Sequence, residues 1–218
     1  MKKIYTLLLL TGFVPIIMAQ TAVKNDPDAK KVLDAVSAKF KTFKTAKATF
    51  TYKVENAAGK TLSTKNGSVF MKGTKYRVLI VGQEIFCDGS NIWTYDKAAK
   101  EVTITKFDTE TNTLTPQKLF TNFYDQDFLY KLNGEKKQGT KIIQEIEMTP
   151  TDKTKAFHKV YVYVNKATKT ITGTRVLEKS GSRYFYTVNT LTPNTTIADS
   201  YFAFNAKNYP GVEIVDLR

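Results

Sequence analysis

The feature that most constrains the fold is an alternation of apolar and polar residues that recurs in short segments along most of the chain. In residues 48–54, Ala, Phe, Tyr and Val alternate with Thr and Lys, which is the period of a half-buried β-strand. Turn sequences such as Asp88-Gly89 separate one such segment from the next. Strands are predicted at residues 48–54, 67–73, 75–82, 83–89, 91–96, 101–107, 141–150, 157–166, 170–179 and 183–191. The series predicts an antiparallel meander.

Some of these strands are apolar on both faces. In the segment after Phe157, Tyr161 and Tyr163 lie on one face, while Val160 and Val162 lie on the other. Such a strand needs cover on both faces. A rolled sheet provides that cover, and a roll of about 11 strands is too wide to be filled by its own side chains. Either a helix or an apolar ligand then fills the space, or the aromatic residues form an ordinary closed core.

Two helices are predicted from capping residues and helical spacing. Asp26 is a good N-cap, Pro27 fits the first helical position, and apolar residues recur at helical spacing as far as Phe43. The second helix occupies residues 116–128 and carries aromatic side chains along one side. We expect the first helix to pack on the sheet and the second to act as a lid or plug.

The first twenty residues have the layout of a secretory signal peptide. Lys2 and Lys3 precede an apolar run that ends near the small residue Ala19. An N-terminal membrane anchor is the alternative, but Gly12 and Pro15 break the run. We predict a signal peptide at residues 1–19 and a single exported domain at residues 20–218.

The formal net charge is +13. An exported protein rarely meets nucleic acid, so no nucleic-acid partner is expected. A membrane surface, an acidic polymer and an acidic protein are the other partners that such a charge favours. Because the lysines are scattered along the sequence, a solvated basic surface is the simplest interpretation.

The sequence gives little support for an enzyme. Cys87 is the one cysteine and cannot form an internal disulfide, and His158 is the one histidine and lies within a strand. Glu145 and Glu147 share a strand face that we interpret as exposed charge rather than paired acids. The residues that could bind a metal are too few and too scattered, and no cofactor is expected. An exported enzyme that depends on Cys87 is the alternative.

Several motifs occur in the order and spacing of a known family. They are Tyr76-Arg77, Asp88-Gly89 and residues 92–96 (Ile-Trp-Thr-Tyr-Asp), together with the N-terminal helix, the strand at residues 47–54 and the terminal segment 201–216. In these features the chain resembles the outer-membrane lipoprotein carrier family, the LolA-type periplasmic chaperones. Nearly all of the mature chain is covered by the resemblance.

The resemblance implies a fold and a function. The fold would be mainly β, of the α+β class: a half-open antiparallel β-barrel of about 11 strands, closed by the two helices around an apolar cavity. The protein would be a monomeric periplasmic carrier that binds the acyl chains of lipoproteins. Its partners would be an inner-membrane lipoprotein-releasing transporter and an outer-membrane receptor. Binding or sensing of another lipid or apolar ligand on the same fold is the alternative.

Site residues are predicted on the same basis. We expect the lid to compete with cargo for the cavity, because full burial of several acyl chains, at about 0.8 kcal/mol per methylene group, would prevent release. The family often has an Arg-Pro step that latches the lid, and here Lys72 takes the place of that arginine. The predicted cavity lining is Phe50, Tyr52, Val78, Ile80, Trp93 and Tyr95; the predicted lid residues are Leu119, Phe120, Phe123 and Tyr124; the predicted latch is Lys72 and Arg77.

Overall fold

The computed structural model describes residues 25–108 and 124–218. The predicted signal peptide lies outside these residues. The helices are α1, Pro27–Lys41, and α2, Tyr124–Asp127, and two short 3₁₀ helices follow at Asp199–Phe202 and Ala206–Asn208. The strands are β1 Ala46–Glu55, β2 Thr61–Lys72, β3 Lys75–Ile80, β4 Gln83–Cys87, β5 Asn91–Asp96, β6 Glu101–Lys106, β7 Phe128–Gln138, β8 Lys141–Pro150, β9 Phe157–Asn165, β10 Thr170–Glu178, β11 Arg183–Pro193 and β12 Glu213–Asp216.

All of these strands belong to one sheet. Their order is β12-β6-β5-β4-β3-β2-β1-β11-β10-β9-β8-β7, and every pair is antiparallel except β12 with β6. The mainly β fold with an N-terminal helix is confirmed. The half-open barrel of about 11 strands is not what the structure shows: over the described residues the sheet has 12 strands and is open, with β12 and β7 as its two edges.

Hydrogen bonds along edge strand β7 explain why no strand needs to close the sheet there. The Asp26 N–H donates to the carbonyl of Tyr130 at 3.1 Å, and the Tyr130 N–H donates to the Asn25 side chain at 3.0 Å. The Leu132 N–H donates to the Asp26 carboxylate at 2.9 Å. The residues before α1 therefore satisfy backbone groups that a neighbouring strand would otherwise pair with.

The strand count differs because β7 is not recognisable in the sequence. Residues 133–139 contain Gly, Asn and charged residues and are typical of a turn, and the residues before them have the pattern of a helix. The structure keeps the segment in the sheet through a bulge between Leu132 and Gly134, and Gly134 adopts a φ of 128°. A glycine tolerates that conformation, so the strand continues beyond the bulge.

Helix α1 begins as its sequence predicts. The Asp26 carboxylate accepts the Asp28 N–H at 2.8 Å, and Pro27 follows in the first turn. The backbone N–H groups of Leu132 and Asp28 hold the pKa of Asp26 below its ordinary value. The apolar side of the helix, which includes Leu33, packs chiefly on β7 and β10. It thereby marks one face of the sheet, which we call the helix-bearing face.

The strand register assigns each side chain to the helix-bearing face or to the opposite face. One core cluster on the helix-bearing face lies under α1 and contains residues of β7–β10. A second lies on β1–β4 and contains Ala46, Ala48, Val69, Met71, Tyr76 and Cys87. Phe43, at the end of the connection from α1, packs against both clusters. This residue joins the two cores across the middle of the sheet.

Candidate functional site

A stripe of aromatic rings runs along two adjacent strands near the centre of the sheet, on the helix-bearing face. Strands β1 and β11 pair so that Tyr52 lies opposite Tyr186, and Phe50 opposite Val188. The ring centroids of Tyr52 and Tyr186 are 4.9 Å apart, and those of Tyr52 and Tyr184 are 6.1 Å apart and stacked. The Phe50 ring lies 6.4 Å from that of Tyr186. We call Phe50, Tyr52, Tyr184 and Tyr186 the aromatic stripe.

Aliphatic side chains extend the stripe across neighbouring strands. In the register, Val69 of β2 pairs with Val78 of β3, which pairs with Ile85 of β4. Ile80 lies opposite Gly67, which itself lies opposite Phe50. These positions are all on the helix-bearing face, so the aromatic rings and the aliphatic residues form one continuous apolar surface.

A glycine makes room for one ring of the stripe. A Cβ atom at Gly67 would lie 2.5 Å from the Phe50 ring and 2.7 Å from the backbone carbonyl oxygen of Leu79. Real Cβ contacts are not this short, so the Phe50 ring occupies space that any other residue at position 67 would fill.

The stripe is less buried than the cores beside it. Along β1 the exposed fraction is 3% at Ala46 and 5% at Ala48, whereas Phe50 and Tyr52 are only half-buried, and Tyr186 is 40% exposed. Cavities of about 450 Å³ and 670 Å³ touch Phe50 and Tyr186, but most of their lining residues, such as Leu79 and Phe185, lie on the opposite face. Burial raises the pKa of Tyr52 to about 12, with the neighbouring tyrosines adding to the shift. The surface is therefore apolar and uncharged at neutral pH.

The structure brings together four of the six residues predicted to line a cavity. Phe50, Tyr52, Val78 and Ile80 all lie on the helix-bearing face. Trp93 and Tyr95 do not join them: Trp93 pairs with Phe86, and the Tyr95 ring lies 4.7 Å from that of Tyr209 on the opposite face. The alternation within β5 fixes both residues on one face but does not reveal which face.

The residues that the sequence interpretation missed are Tyr184, Tyr186, Ile85 and Val188. Their strands are predicted, and in β11 the alternation of Tyr184, Tyr186 and Val188 is visible. What the sequence does not show is that β11 pairs with β1, more than a hundred residues earlier. Lys65 was also missed; it lies opposite Tyr52 in the register, at the border of the stripe.

The predicted latch residues hold the C-terminal segment on the opposite face. The Arg77 guanidinium lies between the rings of Phe86 and Tyr201, at 4.3 Å and 4.5 Å, and donates to the Glu84 carboxylate at 2.8 Å. Lys72 forms an ion pair with Asp199 at 2.7 Å. Within the described residues, both latch candidates thus contact residues near the C-terminus.

A cavity of about 570 Å³ lies between this C-terminal segment and the sheet. Its walls combine apolar residues such as Phe70 with the polar side chains of Arg77, Ser200, Asn205 and Asn208. These polar groups suit an acyl chain less well than the uncharged stripe on the helix-bearing face does.

Of the predicted lid residues, Leu119, Phe120 and Phe123 lie outside the described residues, and so does most of the predicted lid helix. Tyr124 is described, at the start of α2, and is 2% exposed. Its hydroxyl donates to the Asp34 carboxylate of α1 at 2.7 Å. Tyr124 is thus fixed between α1 and the edge strand rather than facing the stripe.

The one cysteine has no catalytic neighbour among the described residues. Cys87 is fully buried, and burial raises the pKa of its thiol to about 11. His158 is exposed on β9, and five strands separate β9 from β4 in the sheet. Over residues 25–108 and 124–218, no group of three or more His, Cys, Asp or Glu side chains is arranged to bind a metal.

The carboxylates Glu145 and Glu147 are held in ion pairs on the opposite face. Glu147 pairs with Lys159 at 2.7 Å, and Glu145 with Lys136 at 3.7 Å. Each acid therefore has a lysine as its partner rather than the other acid. Their side chains are only 15% and 14% exposed, so this face is more covered than its sequence indicates.

The helices of the described parts of the chain are too short or too polar to cross a bilayer. Helix α1, the longest of them, has 15 residues and carries charged side chains along its outer side.

A family model described as "Outer membrane lipoprotein carrier protein LolA" matches residues 41–205. The chain belongs to this family. The match runs from the end of α1 to the C-terminal segment, and so includes the whole aromatic stripe. The resemblance seen in the sequence motifs is thereby confirmed, and the family's description is that of a lipoprotein carrier rather than an enzyme. No curated protein sequence matches the chain.

Solved structures show the same fold at low sequence identity. An uncharacterized conserved protein from Thermus thermophilus is 12% identical, with a TM-score of 0.60 over 87% of this chain and 99% of its own. The lipoprotein LppX of Mycobacterium tuberculosis is 9% identical, with a TM-score of 0.51 over 80% of this chain and 100% of its own. MucB of Pseudomonas aeruginosa is 17% identical, with a TM-score of 0.50 over 83% of this chain and 64% of its own.

Proposed function

We propose that this protein is a carrier that binds the acyl chains of lipoproteins on the aromatic stripe and moves them from the inner to the outer membrane. The observation that carries the proposal is the uncharged, half-buried surface of Phe50, Tyr52, Tyr184 and Tyr186 at the centre of the sheet. Membership in the lipoprotein carrier family supports the choice of cargo.

The exposure of the stripe suits a carrier that must release its cargo. Each methylene group that leaves water contributes about 0.8 kcal/mol, so complete burial of several chains would hold them too tightly. Rings that are only half-buried take up part of each chain and leave the remainder to another surface. Partial burial gives an affinity that a receptor can overcome.

The proposal includes a place in the cell and partners. We propose that residues 1–19 are removed on export and that residues 20–218 act as one monomeric domain in the periplasm. An inner-membrane transporter would supply the lipoprotein, and an outer-membrane receptor would accept it. Family membership and the sequence of residues 1–19 support these proposals.

A second candidate is a carrier or sensor of another lipid. The fold is shared with proteins of low identity such as LppX and MucB, and a fold of this kind hosts more than one function. The stripe has no built headgroup pocket in the described residues around it; Lys65 is the nearest basic side chain in the register. Such a surface suits several lipids with long acyl chains.

Mass spectrometry of the native protein, purified without detergent from the periplasm, tests the proposal. Acylated lipoprotein bound to the wild-type protein is the expected result. Bound phospholipid or fatty acid without lipoprotein would favour the second candidate. A protein that is empty and takes up no added lipid would contradict both.

A pair of variants locates the binding surface. Tyr186→Ser introduces a polar group into the stripe, and Tyr161→Ser makes the same change on the opposite face, where the Tyr161 ring lies under Arg175 at 4.1 Å. We expect Tyr186→Ser to weaken lipid binding about tenfold, because it removes an apolar wall, and Tyr161→Ser to leave binding unchanged. Equal losses in both variants would place the lipid elsewhere.

A further inference from the structure

Lysines that are far apart in the sequence come together at one end of the sheet. The tight turns β2–β3 and β9–β10 both lie at this end, and they carry Lys72, Lys75, Lys166 and Lys169. Four more lysines lie at the same end. Lys44 precedes β1, Lys106 is the last residue of β6, and Lys137 and Lys141 flank the β7–β8 turn. We call this the basic end.

The acidic groups at the basic end are fewer, and several are already paired. Asp199 binds both Lys72 and Lys75, at 2.7 Å and 3.0 Å, and Glu135 binds Lys166 at 2.8 Å. Asp216 pairs with Arg218, and Asp88 accepts backbone N–H groups within its own turn. Asp108 is the remaining acidic residue at this end within residues 25–108 and 124–218. Positive groups therefore outnumber acidic groups at this end of the described structure.

Charges of both signs are mixed at the other end of the sheet. The β5–β6 turn there carries Asp96 with Lys97 and Lys100, and the β10–β11 turn has Glu178 beside Lys179. The basic surface is thus a property of one end of the molecule rather than of its whole exterior.

The arrangement of the lysines favours a broad partner. Lys106 lies near one edge of the sheet, Lys44 beside the central strand β1, and Lys141 near the other edge. All three are exposed and form no ion pair among the described residues. Charges spread along a whole row of turns suit an extended anionic surface better than a small anion in a pocket.

Short turns hold these lysines at a similar height along the direction of the strands. Lys72 and Lys75 face each other in the register across a two-residue turn, and Gly73 within it has a φ of 57°. In the β9–β10 turn, Lys169 itself adopts a φ of 56°. Tight turns with left-handed residues are well defined, so the lysines form a rim rather than a set of mobile loops.

We propose that the basic end docks on an anionic phospholipid surface. Juxtamembrane lysines gain free energy from the negative surface potential of such a membrane, and the gain fades within a Debye length. The aromatic stripe lies on the half of β1 farther from the basic end, at Phe50 and Tyr52, so a docked protein keeps the stripe in the aqueous space. The proposal does not depend on which lipid the stripe binds.

Sedimentation with vesicles tests this docking. The full mature chain is mixed with vesicles of phosphatidylcholine and phosphatidylglycerol in about a two-to-one ratio, and with vesicles of phosphatidylcholine alone. We expect binding to the anionic vesicles only, and loss of that binding when salt is raised from about 0.1 M to about 0.5 M. Absence of binding to the anionic vesicles at low salt would overturn the proposal.

Two triple variants with the same net charge locate the surface. Lys44→Gln, Lys106→Gln and Lys141→Gln remove charge from the basic end, at about a fivefold loss of affinity for each lysine, or about a hundredfold in total. Lys60→Gln, Lys100→Gln and Lys153→Gln remove the same charge from the β1–β2, β5–β6 and β8–β9 connections at the other end, and we expect them to retain most of the binding.

Equal losses in the two triple variants would overturn the proposal, because net charge alone would then explain the binding. Stoichiometric binding to an acidic polypeptide such as polyglutamate, without binding to vesicles, would also overturn it and indicate an acidic protein partner. Thermal unfolding of both variants establishes that they fold, so that a loss of binding reports on the surface.

Discussion

The hydroxyl of Tyr124 donates a 2.7 Å hydrogen bond to the carboxylate of Asp34, and so ties the start of α2 to the middle of α1. Lys30 strengthens the connection, because its ammonium group bonds both Asp34 and Asp125, at 3.1 Å and 3.2 Å. The Tyr124 hydrogen bond is the main cause that lowers the pKa of Asp34, while burial raises the pKa of Tyr124. This cluster fixes the residues that lead into edge strand β7.

We expect Tyr124→Phe to lower the free energy of unfolding by about 1 kcal/mol, because it removes a hydrogen bond to a charged but partly exposed group. Urea denaturation measures the change. Tyr163→Phe is the matched control, since no hydrogen bond of the Tyr163 hydroxyl occurs among the described residues, and it should change stability much less. A Tyr124→Phe protein as stable as the wild type would show that the hydrogen bond contributes nothing.

Arg77 should contribute strongly to stability through the C-terminal segment. We expect Arg77→Leu to cost about 2–4 kcal/mol, because it removes a guanidinium packed between two aromatic rings and leaves the buried Glu84 with fewer partners. Arg218 is solvent-exposed and pairs with Asp216, so Arg218→Gln should have little effect on stability. If chemical denaturation shows similar losses of unfolding free energy for the two variants, Arg77 does not stabilise the protein more than an exposed arginine does.

Glu84 should make stability depend on acid pH. Burial raises the pKa of its carboxyl, but hydrogen bonds from Arg77, Lys97 and Tyr209 outweigh burial and hold it below the ordinary 4.5. A carboxyl with a lowered pKa in the folded state stabilises the protein above its unfolded pKa, and that stabilisation is lost as pH falls through the folded value. We expect the decrease in unfolding free energy below pH 4.5 to be smaller in Glu84→Gln. If Glu84→Gln loses stability below pH 4.5 as steeply as the wild type does, the pKa of Glu84 is not lowered in the folded protein.

Gly67 should be sensitive to the smallest substitution. We expect Gly67→Ala to cost about 1–3 kcal/mol, because the added Cβ meets both the Phe50 ring and an immovable backbone carbonyl. Lipid binding should also weaken, since the ring must leave its place in the stripe. Ser68→Ala, one residue along the same strand, should be close to neutral in thermal unfolding. If Gly67→Ala binds lipid normally and unfolds at the wild-type temperature, Phe50 does not lie where the structure puts it.

Cys87 should behave as a core residue. Because its thiol is fully buried and its pKa is raised to about 11, we expect a thiol-specific reagent to label it only after unfolding. Cys87→Ala should leave lipid binding intact while lowering stability by roughly 1 kcal/mol. Rapid labelling of the folded protein would contradict this assignment and revive a reactive role for the cysteine.

Local sequence signals predicted most of the fold. The cap at Asp26, the period-two segments and the turn at Asp88-Gly89 each depend on neighbouring residues, and α1 and most strands lie where these signals put them. Strand β7 was missed because its local sequence, with Gly134 and several charged residues, is typical of a turn. Pairing with β8 across a bulge outweighs that preference.

The candidate site was only partly predictable, because it depends on long-range pairing. Alternation assigns Tyr95 to one of two faces, but only the register and its contact with Tyr209 decide which one. Likewise, Tyr186 joins the stripe through pairing with Tyr52, which is far away in the sequence. The basic end has the same origin, since antiparallel strands return scattered lysines to one side.

Photo-crosslinking with a diazirine-labelled fatty acid or lipopeptide tests the central claim most directly. After illumination, peptide mass spectrometry identifies the strands that contact the acyl chain. We expect crosslinks in β1 and β11, at Phe50, Tyr52, Tyr184 or Tyr186, with competition by unlabelled lipid. Crosslinks confined to the C-terminal segment around Tyr201 and Tyr209, or none that lipid can displace, would contradict the assignment of the aromatic stripe as the binding surface.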